Sequence, residues 1–132
     1  MWKENLYSAI ISGIGTIISY WLGGWDVALR ALIVFMVIDY LTGFLGALKN
    51  KKVNSEVMFW GGVRKGVIIT IIAMAVILDQ LIGNQEPIFR MLALWFYIGR
   101  EGLSIVENLG ILGVKFPEKI KDALVQLQEK GE

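Results

Sequence analysis

The chain has 132 residues, of which 55% are hydrophobic and 19% are charged, and its formal net charge is +1. A soluble domain of this length would leave too much apolar surface exposed, whereas runs of about 20 apolar residues are typical of membrane-spanning helices. The chain contains no Cys and no His, which excludes disulfides, thiolate metal sites and imidazole acid–base chemistry. No enzyme motif is found either. The composition predicts a non-enzymatic membrane protein that needs no cofactor or metal and binds no nucleic acid.

The first two apolar segments predict a helical hairpin. Residues 5–24 carry no charge, and residues 27–48 follow after a short connection that contains Gly23 and Gly24. A cleaved signal peptide is the alternative for the first segment. Its long apolar core, and the bulky side chains where small residues would be needed for cleavage, favour a retained helix.

The third and fourth segments are less uniform. Residues 66–83 form an apolar run that is long enough to cross the membrane. The fourth segment carries no charge over residues 91–99, and then Arg100 and Glu101 interrupt it. Because charged residues are costly inside a bilayer, a helix lying in the membrane interface is the alternative for this segment.

The positions of the basic residues predict the orientation. The connection between the second and third segments is rich in Lys and Arg, whereas the other two connections contain none. Under the positive-inside rule, this basic connection is cytoplasmic. With four crossings, both termini are then also cytoplasmic. The basic residues of the connection are Lys49, Lys51, Lys52, Arg64 and Lys65.

A short amphipathic helix is predicted after Pro117. Ile120, Leu124 and Leu127 form one apolar stripe, and Pro is favourable in the first turn. This helix would rest on the membrane or on a neighbouring subunit, with a solvated charged tail as the alternative. The predicted fold is therefore an all-α integral membrane protein with a four-helix transmembrane domain (residues 1–114) and a charged cytoplasmic tail (residues 115–132).

Small residues recur along single faces of the first three predicted helices. Such faces allow helix backbones to approach closely in lipid. Any one stripe is explained by packing within the chain. Three stripes in so small a protein leave faces for self-association, so the sequence predicts a homo-oligomer. The residues of these faces are Ser8, Ser12, Gly15, Ser19, Gly43, Gly46, Gly62 and Gly66.

Four charged residues are predicted to lie within the membrane: Asp39, Arg100, Glu101 and Glu107. Asp39 lies about 13 Å from the nearer end of its segment at 1.5 Å per residue, too deep to escape easily to water. Depth alone suggests Arg100 as its counter-charge. Arg30, Asp79 and Arg90 lie near segment ends, where we expect their charged groups to reach the interface.

Three stretches of the sequence resemble a known family. They are the Asp-Tyr-Leu-Thr-Gly motif at residues 39–43, the Lys-rich connection with Asn54 and Ser55, and the long run at residues 96–108. Together with residues 117–124, they are similar to the toxin-secretion/phage-lysis holin family. The resemblance implies a phage or prophage protein of the bacterial cytoplasmic membrane. Such proteins oligomerise and form lesions that release endolysin or a toxin, without direct contact with the endolysin.

Two other functions fit the same segments. A small four-helix transporter or ion channel has a similar length, but its first helix would need a substrate- or proton-binding carboxylate, and residues 5–24 contain none. A membrane anchor for a partner enzyme would use the basic connection and the tail as docking surfaces. An anchor predicts no toxicity on overexpression.

Overall fold

The computed structural model describes all 132 residues and contains five α-helices and no strand. The predicted all-α class and the short C-terminal helix are confirmed. The helices are α1 (Trp2–Trp21), α2 (Val27–Lys49), α3 (Ser55–Ile82), α4 (Ile88–Ile111) and α5 (Glu118–Lys130).

Local chemistry sets the ends of α2 and α3. The Asp26 side chain accepts a hydrogen bond from the backbone N–H of Leu29 and caps α2. Asn54 caps α3 in the same way, so α3 begins at Ser55 and not at the apolar run that starts at residue 66. Gly83 ends α3 in the left-handed region (φ 78°), which favours glycine.

Helix α4 is the centre of the fold and packs against α2, α3 and α5. It runs in the same direction as α2: Arg90, in its first turn, bonds the residues before α2, and the carbonyl of Ile111 accepts from Lys49 Nζ at 2.9 Å. The core between these helices is entirely aliphatic apart from one Met. It consists of Leu22, Leu29, Leu32, Met36, Ile72, Leu94 and Ile98.

Helix α5 folds back along α4 in very close contact. A Cβ atom added at Gly99 would lie 2.6 Å from the backbone nitrogen of Gln128, so glycine permits this backbone approach. Leu124 is buried against Gly102, and Lys130 Nζ lies 4.4 Å from the ring centroid of Trp95. The tail therefore rests on its own α4, and its charged side remains exposed.

Helix α1 contributes no buried residue. It lies beside α2 across an open groove of about 670 Å³, which is lined by Ser12, Gly15, Thr16 and Ser19 of α1. Its large apolar side chains, such as Ile11 and Ile17, are mostly exposed. Helix α1 therefore makes few contacts within its own chain, and most of its apolar side chains are exposed.

Two helices, α2 and α3, are long and apolar enough to cross a membrane. Helix α4 has the length, but it carries Arg90, Arg100, Glu101 and Glu107. Helix α1 is also long enough, although its charged first turn and many small polar residues lower its hydropathy.

Replacing Gly99 with Leu is expected to displace α5, because the new side chain would meet helix backbone at Leu124 and Gln128. Overpacking of this kind costs on the order of 1–3 kcal/mol. A Leu124→Cys reporter measures the effect, since the parent chain has no Cys. Maleimide labelling of Cys at this buried position should speed up severalfold. Gly110→Leu is the matched control, because a Cβ there meets nothing within 4 Å. Equal labelling rates in the two backgrounds would contradict the prediction.

Candidate functional site

A buried ion cluster joins α2, α3 and α4. Lys65 Nζ on α3 donates to Asp39 Oδ2 on α2 at 2.7 Å and to Glu101 Oε2 on α4 at 2.6 Å. Only 17%, 13% and 7% of these three side chains, respectively, are exposed. Two carboxylates therefore share one ammonium group between the three helices.

Asn108 lies about two turns after Glu101 on α4 and completes the cluster. We call these four residues, Asp39, Lys65, Glu101 and Asn108, the inner cluster. Its Nδ2 donates to Asp39 Oδ1 at 2.9 Å, to the Asp39 carbonyl at 3.1 Å and to Thr42 Oγ1 at 3.0 Å. No buried side-chain nitrogen or oxygen of the protein lacks a hydrogen-bond partner. The buried polar atoms of the cluster therefore all have hydrogen-bond partners, which is the condition under which buried charges are tolerated.

The cluster is open to water on one side. A cleft of about 520 Å³ lies between α3 and α4, and Asp39, Lys65 and Glu101 line it. Arg64 and Arg100 line the same cleft. No group of His, Cys, Asp and Glu in the chain has the arrangement of a metal site.

A second cluster, the outer cluster, lies around Arg90 at the end of the bundle where α4 begins. This guanidinium donates from Nε to the Leu22 carbonyl at 2.6 Å and from Nη2 to the Gly24 carbonyl at 3.0 Å. It also forms a two-pronged pair with the Asp26 carboxylate at 2.7 and 3.1 Å. The hydrogen bond from Arg90 holds the pKa of Asp26 below its ordinary value of 3.8, against an opposing effect of partial burial.

Asp79 belongs to the same outer cluster and caps α4. Its carboxylate accepts from the backbone N–H groups of Phe89 and Arg90 at 2.9 and 3.0 Å, and from Asn84 Nδ2 at 2.9 Å. Because Pro87 has no side-chain donor or acceptor, α3 supplies the cap that α4 lacks.

Asp79 and Arg90, which we expect from the sequence to reach the interface, are enclosed by the protein near the end of the bundle. Both residues are buried, at 5% and 3% exposure. Each finds backbone groups of a neighbouring turn that need a partner, so neither has to extend to water.

The predicted pairing of Asp39 with Arg100 is wrong. Lys65 is the partner, and Arg100 is exposed without an ion pair. The signal that would have identified Lys65 is the Asn54 cap. If α3 starts at Ser55, then Asp39 and Lys65 lie equally far from the α2–α3 connection and face each other across the hairpin.

The residues of the predicted small-residue faces fall into two groups. Gly43 and Gly46 face α4 within the chain, where a Cβ would meet Asn108 at 3.6 Å and Ile111 at 3.3 Å. The others are not enclosed by the chain, and they stay a predicted contact surface: Ser8, Ser12, Gly15, Ser19, Gly62 and Gly66. Glu107 is exposed on α4.

Comparison with known proteins identifies the family. Residues 16–129 match the model of the bacteriophage holin family. The chain belongs to this family. The resemblance seen in the sequence is therefore confirmed, and with the apolar helices α2 and α3 it indicates a membrane protein.

Relatives of this holin-family chain come from clostridia, other bacteria and a phage. An uncharacterized 14.9 kDa protein of Clostridium perfringens is 43% identical over 130 residues, which cover 96% of this chain and 98% of the relative. A probable holin of Bacillus phage phi105 is 35% identical over 96 residues, which cover 73% and 70% of the two chains. No solved structure matches the chain.

Replacing Lys65 with Met should destabilise this holin-family protein by about 3–5 kcal/mol, because it leaves two buried carboxylates without a counter-charge. Adding Asp39→Asn and Glu101→Gln to the same chain should recover most of that loss. Arg30→Met, which removes an exposed cation without an ion pair, is the control. Unfolding of the purified proteins in detergent measures all three. A Lys65→Met protein as stable as the Arg30→Met control would overturn the structural role of the cluster.

The Asp26–Arg90 pair predicts a pH dependence of stability. Because the pKa of Asp26 is lower in the folded state than in the unfolded chain, its stabilising effect is complete above about pH 4 and is lost as the pH falls through the lowered pKa. Asp26→Asn keeps a helix-capping side chain and removes the charge. It should be less stable than the parent at pH 7, and the difference should vanish in acid. A stability difference that stays constant from pH 7 to about pH 2 would contradict this assignment.

Proposed function

We propose that this holin-family protein assembles into a homo-oligomer in the bacterial cytoplasmic membrane and opens lesions that let endolysin, or a toxin, cross. The observation that carries the proposal is the two-sided surface of the folded chain. Helices α1, α2 and α3 expose apolar side chains, whereas the exposed residues of α5 are predominantly charged or polar.

The contacts of α4 with α2 support four membrane crossings. The two helices run side by side, bonded near one end through Arg90 and Asp26 and at the other through Lys49 and Ile111. A membrane that α2 crosses is therefore also crossed by α4. Helix α1 follows from the short turn before α2 and, at 1.5 Å per residue, is about 30 Å long, the thickness of the hydrocarbon core.

This arrangement brings α5 to the depth of the membrane. Its partner residues on α4 extend from Gly102 back to Leu92, which lies one turn from the start of α4. The exposed side of α5 carries Lys121, Asp122 and Glu129. Charged residues at this depth face protein or water and not lipid. We infer that the α4–α5 sides of several subunits face one another and enclose water.

The apolar side supplies the lipid-facing and subunit-facing surfaces. On α1, the predicted stripe from Ser8 to Ser19 has no close partner in its own chain, so it is the proposed contact with the next subunit. The basic α2–α3 connection lies in the cytoplasm. With four crossings the N-terminus and the start of α5 belong to that side, and α5 then folds back beside α4 until Gly131 lies against Leu92 and Phe96.

Inducible expression in bacteria tests the function. We expect abrupt loss of membrane potential, with lysis only when a cytosolic endolysin is present. Asp39→Asn, which weakens the inner cluster, should shift the time of lysis, and Arg30→Gln should not. Viable cells with intact potential would overturn the proposal and favour a membrane anchor. Substrate-dependent flux without loss of potential would favour a transporter.

Cysteine labelling tests which side lines the lesion. Gln126→Cys on the exposed side of α5 should react with a membrane-impermeant maleimide after the potential collapses. Met74→Cys, on the exposed apolar side of α3, should stay unmodified in lipid. Labelling at position 74 but not at position 126 would reverse the proposed arrangement.

A further inference from the structure

Two arginines without ion-pair partners line the cleft beside the inner cluster. Arg64 on α3 makes one long hydrogen bond, from Nε to the carbonyl of Trp60 at 3.5 Å. Arg100 on α4 makes no side-chain hydrogen bond, and the three ion pairs of the protein involve neither arginine. Lys65, between them, is already paired with both Asp39 and Glu101. The two guanidinium groups are therefore the positive charges of the cleft that are not already paired with a carboxylate.

The charge and shape of the cleft favour a singly charged anion with an apolar extension. Its lining residues carry three positive and two negative charges, a net charge of +1. A volume of about 520 Å³ accommodates a phosphodiester with a small polar headgroup. Ser104 adds a hydroxyl to the lining, and Ile68 and Phe96 add an apolar wall. Guanidinium groups match phosphate oxygens in pairs of parallel hydrogen bonds.

The position of the cleft along α3 matches the level of lipid phosphates. Arg64 lies two residues before the apolar run that begins at Gly66, and exposed Phe59 and Trp60 lie about one turn before Arg64. Aromatic side chains of this kind concentrate at the membrane–water interface.

The distance between the inner and outer clusters also places the cleft at the level of the lipid phosphates. They are about 20 Å apart along α2 and about 17 Å apart along α4 at 1.5 Å per residue, less than the hydrocarbon core of about 30 Å. A short apolar layer draws headgroups inward around it.

We propose that this cleft binds the phosphate of an anionic glycerophospholipid of the cytoplasmic leaflet, with Arg64 and Arg100 as the phosphate-binding residues. A zwitterionic lipid would add an ammonium group to a cleft that is already positive, so the site discriminates by headgroup charge. The inference rests on the proposed membrane placement, and it does not depend on lesion formation.

Lipid titration of the purified full-length protein tests this site. Native mass spectrometry from detergent counts bound phosphatidylglycerol and phosphatidylcholine on the parent, on Arg64→Gln/Arg100→Gln and on Arg30→Gln as the matched control. We expect phosphatidylglycerol to bind the double variant at least about tenfold more weakly, the loss expected for removed charge-assisted hydrogen bonds. The control should match the parent. Arg64→Lys/Arg100→Lys should retain part of the affinity, because lysine keeps the charge and loses the paired geometry.

Three results would overturn the lipid site. They are unchanged phosphatidylglycerol binding in the double variant, an equal loss in the Arg30→Gln control, and equal affinity of the parent for phosphatidylcholine. Inorganic phosphate serves as the soluble competitor. Displacement of the lipid at millimolar phosphate would assign the cleft to a free anion instead. These measurements use purified protein, so a chain that binds lipid but fails to permeabilise cells refutes the proposed function alone.

Discussion

The fold depends on one shared hydrogen-bond donor, the ammonium group of Lys65. It lies between Asp39 and Glu101 and joins three helices beside a cleft that is open on one side. An apolar core in lipid gains little from burial, because lipid tails are as apolar as leucine. The directional bonds of the inner cluster therefore fix which helices are neighbours, while the aliphatic residues fill the space between them.

The outer cluster around Arg90 joins a different set of backbone segments. It ties the turn before α2 to the first turn of α4, and Asp79 supplies the missing cap. The outer cluster at one end, the inner cluster near the middle and the Lys49–Ile111 hydrogen bond at the other end hold α2 and α4 in parallel register. This explains how a helix with four charges remains part of an apolar bundle: two of its charged residues are bonded within the chain, and the other two, Arg100 and Glu107, face outward.

Much of this structure could be predicted from the sequence, because hydrophobic runs and helix caps are local. The five helices, and the enclosure of Asp39 and Glu101, follow from such signals. The hydrogen-bond partners of the charged residues do not follow from local signals. Lys65 stands in a basic stretch that reads as a connection until the Asn54 cap is recognised as the start of α3. The burial of Arg90 depends on carbonyl groups of the turn between α1 and α2, and no periodicity of α4 reports their position.

Helix α1 has a consequence for how such a protein changes over generations. None of its residues is buried, and the family model begins only at residue 16. Substitutions along α1 therefore leave the packing of α2, α3 and α4 nearly untouched, while they alter the surface that a neighbouring subunit would meet. In the assembly proposed above, substitutions on α1 would adjust the contact between subunits in small steps, whereas a single change at Lys65 affects the cluster that joins three helices.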